Sequence, residues 1–87
     1  MNIIAILATI LGVITGLANI PQIIKIFKRK SAKDLSLITN TIFLASSIVW
    51  LIYGIQLINS PLIIANIIYI ITYFIIIVEW VIYGRKK

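Results

Sequence analysis

Cysteine and histidine are both missing, and only two side chains are acidic, Asp34 and Glu79. Without cysteine there is no disulfide framework, no thiolate metal site and no thiol nucleophile. Without histidine the usual general base and the commonest zinc ligand are gone. The two acids lie far apart in the chain. These gaps leave an enzyme little to work with and imply neither a metal nor a cofactor. Charge of either sign is also scarce. Only 11% of the 87 residues are charged and 62% are apolar, whereas an average soluble domain carries about 25% charged residues. A soluble chain this short has a high surface-to-volume ratio and needs many polar residues to cover itself. A soluble globular domain is thereby excluded, and disorder is excluded by the same apolar excess. The length allows one domain.

What charge there is has a sign and a pattern. The net charge is +6, which first suggests nucleic acid. The basic residues, however, fall in two short patches, Lys25, Lys28, Arg29, Lys30 and Lys33, then Arg85, Lys86 and Lys87. Both patches flank long apolar runs, which is the positive-inside signature of a membrane protein and speaks against a nucleic-acid partner. About 20 apolar residues cross a bilayer as a helix. The uncharged stretch 35–78 is long enough for two such helices, with a turn at Gln56 and Asn59-Ser60-Pro61. The pattern predicts an all-α membrane protein with three transmembrane helices over about 3–24, 37–58 and 61–82, and a basic loop over 25–35. Short strands are rejected because only helices or closed barrels satisfy the backbone in lipid. Met1-Asn2-Ile3 offers no basic region of the kind that opens a signal peptide, so the first run reads as a retained helix. Placing both basic patches in the cytoplasm puts the N-terminus and the 57–60 turn outside, in a multi-pass plasma-membrane protein.

Each helix carries one polar stripe at steps of three or four residues. The second runs through Ser36, Thr39, Asn40, Phe43, Ser46, Ser47, Trp50 and Tyr53. The third runs through Ala65, Asn66, Tyr69, Thr72, Tyr73 and Glu79. The opposite faces are almost pure Ile, Leu and Val, which suit lipid. Gly12, Gly16, Ser46 and Ser47 read as close-packing residues between helices. Asn40, Trp50, Asn66 and Tyr69 read instead as a cavity lining, because an unbonded amide costs several kcal/mol in hydrocarbon. Trp50 and Asn66 fall at similar depth on antiparallel helices, within a turn or two of each other.

Pro21 removes the hydrogen bond to the Leu17 carbonyl and predicts a kink. It either ends the first helix before the basic loop or acts as a hinge; the apolar pattern continuing through Ile23, Ile24 and Phe27 favours the hinge. Glu79 has two readings as well. It is an interfacial acid paired with Arg85, Lys86 or Lys87, the favoured reading, or a proton-coupling carboxylate.

Asn19-Ile20-Pro21-Gln22-Ile23-Ile24-Lys25, followed by Lys30-Ser31 and Leu35-Ser36-Leu37, resembles the PQ-loop motif. With Trp50-Leu51-Ile52-Tyr53-Gly54 and Leu62-Ile63-Ile64-Ala65-Asn66, the chain resembles the bacterial SemiSWEET sugar transporters over about residues 5–84. The resemblance implies a triple-helix bundle that forms a parallel homodimer, with the translocation path on its two-fold axis. It implies Trp50 and Asn66 as sugar-binding residues, Pro21 as hinge, Gln22 as its hydrogen-bonding partner and Tyr53 as an outer-gate tyrosine. The chain also departs from the family pattern. Leu57 and Asn59 stand where relatives carry a charged outer pair, so Asn59 offers only a neutral hydrogen bond. At the inner mouth Thr39 and Asn40 replace bulkier residues. The expected function is a facilitative sugar uniporter working by alternating access. The alternatives are a PQ-loop transporter of another small solute such as an amino acid, and a holin-like pore-forming membrane protein.

Overall fold

Asn2 opens the first helix. Its side-chain oxygen accepts the Ala5 amide proton at 2.8 Å and satisfies one of the free donors of the first turn. The computed structural model describes residues 2–32 and 36–83. The tail Arg85-Lys86-Lys87 lies outside the described residues, as do Lys33, Asp34 and Leu35. The helices are α1 (Ile3–Leu17), α2 (Ile20–Arg29), α3 (Leu37–Leu57) and α4 (Ser60–Tyr83). Three stretches are long and apolar enough to cross a membrane: Ile3–Arg29, Leu37–Leu57 and Ser60–Tyr83.

The first span, expected over 3–24 with a kink at Pro21, runs to Arg29 and divides into α1 and α2. It breaks at Ala18 and Asn19, where the Asn19 amide bonds Gly16 three residues back at 3.2 Å, in place of the residue four back. Pro21 has no amide proton to give Leu17, and it disfavours helical geometry in the residue before it. A short 3₁₀-type turn absorbs both defects, and Pro21 then sits in the first turn of α2, where it fits. The expected basic loop over 25–35 is also corrected, since helix continues to Arg29. Hydropathy marks where side chains leave lipid, which is not where backbone hydrogen bonding stops. Ile23 and Ile26 keep α2 attached to the bundle while its lysines stay exposed. The helix ends at Lys30, whose left-handed φ of 53° lets its amide reach the Ile26 carbonyl at 2.8 Å.

The α3–α4 turn is built the same way. Ile58 takes a left-handed φ of 52°, and two bonds close the end of α3, Ile58 to Ile55 at 3.1 Å and Asn59 to Gly54 at 2.9 Å. This is a Schellman closure with isoleucine in the place usually held by glycine. Asn59 then caps α4, its side-chain oxygen accepting from the Leu62 amide at 3.2 Å.

In space the last helix stands in the middle. α4 packs along α3 on one side and along α1 and α2 on the other. Small residues permit the approach. A Cβ added at Gly12 would lie 2.8 Å from the Ala65 Cβ, one at Gly16 would collide with Ile68, and one at Gly54 would lie 2.9 Å from the Leu62 Cβ. The glycines of the first span therefore join α1 to α4 within one chain. At the basic-patch end, Ile26 and Ala32 pack with Ile76, and Ile23, Tyr73, Trp80 and Tyr83 lie against this cluster.

The burial pattern is inverted relative to a soluble protein. Ile76 is wholly enclosed, but most large aliphatic side chains are exposed. Buried polar residues are Asn40, Ser47, Asn66, Thr72 and Glu79. Several of these polar groups bond their own helix: Ser47 donates to the Phe43 carbonyl at 2.8 Å and Thr72 to the Ile68 carbonyl at 3.0 Å. Such bonding leaves little for hydrocarbon to desolvate. Direct linkage between helices appears at the break, where the Asn19 side-chain amide donates to the Thr72 hydroxyl at 3.0 Å.

Candidate functional site

The polar stripes of α3 and α4 face one another because the Schellman turn folds the two helices back antiparallel. Phe43, Ser46, Ser47 and Trp50 on α3, with Asn66, Tyr69 and Tyr73 on α4, line a pocket of about 210 Å³. Trp50 and Asn66 thus share one cavity. Tyr69, read from the sequence as a lining residue, borders it too, and so do Ser46 and Ser47, which the sequence predicts as packing residues.

Chemically the pocket combines rings and hydrogen-bonding groups. The Phe43 and Tyr73 rings lie 5.4 Å apart, and Tyr69 and Tyr73 lie 6.2 Å apart. Tyr53 stands edge-on to Trp50 at 5.8 Å, which braces the indole. Trp50 remains half exposed at the side of the chain. The Asn66 amide nitrogen donates to the Leu62 carbonyl at 2.7 Å. A carbonyl can only accept, so this bond fixes which end of the amide is which. The Asn66 side-chain oxygen has no partner among the described residues. An indole face and an amide oxygen suit a ligand with apolar C–H faces and hydroxyl donors.

On its other side α4 borders a second groove, of about 550 Å³, lined by Asn2, Ala5, Ala8 and Gly12 of the first helix region and by Asn59, Leu62, Ala65, Asn66 and Tyr69. Asn66 and Tyr69 border both cavities. Asn59 lines the rim of this groove while its oxygen is engaged in capping. Pro21 and Gln22 line a third, separate groove of about 410 Å³ at the helix break, together with Ala18, Lys25, Ile26 and Ala32. Gln22 is exposed and has no hydrogen bond among the described residues.

The remaining site residues lie elsewhere. Asn40 is buried near the start of α3 and donates to the Ser36 carbonyl at 2.9 Å. Thr39 is exposed, and its amide and hydroxyl both engage the Ser36 hydroxyl at 3.1 and 2.9 Å. Both sit near the opposite end of α3 from the α3–α4 turn, about 15 Å along the helix from Trp50. The Asn19–Thr72 bond has a weak signature in sequence, an amide two residues before a helix-interrupting proline. Glu79 is buried, and its Oε1 has no hydrogen-bond partner. The tail bases expected to pair with it lie outside the described residues, and no described base forms an ion pair with it.

Comparison with known proteins places this arrangement. Residues 2–87 match the MtN3/slv family, described as a sugar efflux transporter for intercellular exchange. The crystal structure of a bacterial homologue of SWEET transporters superposes with a TM-score of 0.90 at 37% identity, covering 95% of this chain and 100% of that one. A sugar transporter SemiSWEET of Bradyrhizobium diazoefficiens is 40% identical over 52 residues, 60% of this chain and 60% of that protein. The match thus spans less than two thirds of that relative. An uncharacterised protein of Methanocaldococcus jannaschii is 38% identical over 64 residues, 74% of this chain and 69% of the relative.

Proposed function

We propose, from the premise that this chain belongs to the MtN3/slv family of sugar efflux transporters, that it is a facilitative sugar uniporter working by alternating access as a parallel homodimer. The observation that carries the reading is the pocket shared by Trp50 and Asn66, which opens at the side of a single chain. Half a binding site is what one protomer of a two-fold transporter presents. A symmetric pair brings two copies of the same surface to one axis, and a mono- or disaccharide then lies between paired indoles and paired Asn66 oxygens.

The mobile part is supplied by the break at Ala18–Asn19. Below it α2 is held to α4 mainly through Ile23 and Ile26, so Pro21 divides the first span into two bodies that tilt separately. Gln22 lines the groove at this break; in a dimer its unengaged amide is available to the facing copy. Tyr53, at the Trp50 edge toward the outer turn, and Asn59, at that turn, stand at the outer end of the path. Thr39 and Asn40 stand at the inner end. The positive-inside rule sets the direction, with the N-terminus and Asn59 outside and Lys25, Lys28, Arg29 and Lys30 in the cytoplasm of a bacterial cell.

The experiment is transport by the purified chain in liposomes, screened with labelled sugars and amino acids, alongside binding stoichiometry. Uptake of a mono- or disaccharide without a voltage-collapsing leak, with one sugar bound per two chains, is expected. Amino-acid uptake alone would move the substrate class on the same scaffold. Collapse of the membrane potential without saturable uptake would favour a pore.

A further inference from the structure

Glu79 is the acid of the membrane-spanning helices, and nothing in the transport path as described uses it. It lies one helical turn beyond Ile76 on the buried face of α4. It is 7% exposed, and its Oε1 is buried without a hydrogen-bond partner. The cluster at this end of α4 is mostly apolar: Ile26 of α2, Ala32 and Ile76, with Ile23, Tyr73, Trp80 and Tyr83 packed against it. An ionised carboxylate in such surroundings is costly unless a base or several donors meet it.

The charged and titratable groups nearby are already placed elsewhere. On α2 the lysines and Arg29 are exposed. The Lys30 ammonium stands 4.9 Å over the Phe27 ring and 5.8 Å from the Tyr83 ring, committed to aromatic faces. From α4 itself come the phenols of Tyr73 and Tyr83. The start of α3 contributes Ser36, Thr39 and Asn40, none of which is charged, and one Asn40 amide proton goes to the Ser36 carbonyl. Lys33, Asp34, Arg85, Lys86 and Lys87 lie outside the described residues.

We propose that Glu79 is a proton-binding site that α2 covers and uncovers. The carboxyl carries a proton while Ile26 and Ala32 pack against α4. When α2 swings away about the Ala18–Asn19 break, the O–H bond breaks, the proton passes to cytoplasmic water and the carboxylate is left solvated. The inference deepens the alternating-access reading and rests on its hinge, because the element that covers Glu79 is the one below the break. Its consequence is a link between cytoplasmic pH and the position of α2. Acid favours the covered arrangement and alkali the open one, since the neutral acid belongs to the covered state and the ionised form to the open state.

The chain suits a direct test. It has two side-chain carboxyls and no cysteine, so infrared spectra are simple and spin labels can be placed at will. The full chain is reconstituted in phosphatidylcholine vesicles and its carboxylic-acid C=O band recorded at neutral pH. The wild type should show the band and Glu79→Gln should lose it. A label pair at Lys28→Cys and Ile82→Cys then reports the α2–α4 distance. That distance should lengthen from mildly acidic to mildly alkaline pH in the wild type and stay short in Glu79→Gln. Glu79→Asp should keep both the band and the pH response, which separates loss of the proton from loss of folding. Absence of the acid band in the wild type would overturn the proposal, because Glu79 is then ionised and paired, by the tail or by a second copy. An unchanged pH response in Glu79→Gln would overturn it as well. Neither measurement needs sugar flux. A chain that shows band and movement but carries no sugar would sink the transport reading and keep this one.

Discussion

Asn66 commits one amide proton to its own helix, 2.7 Å from the Leu62 carbonyl, and in the proposed site its side-chain oxygen is left to accept from a ligand hydroxyl. A sugar hydroxyl that donates to it loses its partner when Asn66→Ala is made, at about 1–3 kcal/mol per unpaired group in a dry site. With two copies at one axis, affinity should fall at least about tenfold, read by calorimetry or scintillation proximity on the purified protein. Trp50→Ala should do similar damage by removing the stacking face. Undiminished binding in both variants would place the sugar elsewhere. Ile58 offers a residue-scale test of stability. A β-branched side chain at a φ of 52° carries a left-handed penalty of about 1–2 kcal/mol, and the two bonds that close α3 do not need that side chain. Ile58→Gly should raise the thermal midpoint in detergent, with transport unchanged. A lowered midpoint would mean that the exposed isoleucine contributes more than its backbone strain costs.

At the scale of elements, the first span is the informative one. Pro21→Ala returns an amide proton to the Leu17 carbonyl and lets α1 run into α2 as one rod. Turnover should drop while substrate affinity changes less, measured by separate uptake and binding assays. Wild-type turnover would reduce the break to helix punctuation. The seam between α1 and α4 makes the opposite demand, for contact without movement. A methyl at Gly16 runs into Ile68 and one at Gly12 meets the Ala65 Cβ at 2.8 Å. Gly16→Ala should cost about 1–3 kcal/mol as overpacking, seen as a lower thermal midpoint. A neutral result would mean that Ile68 turns aside at little cost. The Asn19–Thr72 bond ties the break itself to α4, which in the proposed hinge would hold the pivot in place.

For the whole molecule the decisive quantities are orientation and partner. The basic patch and the α3–α4 turn lie at opposite ends of the spans, so single cysteines separate the two possible orientations. An impermeant thiol reagent on sealed cells should label Asn59→Cys and spare Ser31→Cys. Labelling at 31 would invert the protein. The exposed aliphatic surface is met by lipid, but the side of the chain that exposes Trp50 near Ser46 presents polar and aromatic groups that hydrocarbon serves poorly. A second copy, as proposed, would cover that side.

Three membrane spans, the Ser60-Pro61 helix start and the existence of a break near Pro21 were readable from the sequence. So were the polar stripes that hold Trp50 and Asn66. These features follow from local chemistry: hydropathy, charge position and the missing amide proton of proline act within a few residues. The continuation of helix through Lys25 to Arg29 was not readable in this way, because hydropathy reports the lipid boundary and the backbone bonds run past it. Lateral order was also out of reach. That α4 stands between α1 and α3 depends on matches such as Gly12 with Ala65 and Gly54 with Leu62, between segments whose sequences say nothing of each other. Tertiary structure alone decided which polar residues share a cavity, that Asn66 and Tyr69 border two of them, and that Glu79 is enclosed. Enclosure requires neighbours from other helices, and no periodicity within one helix can supply them.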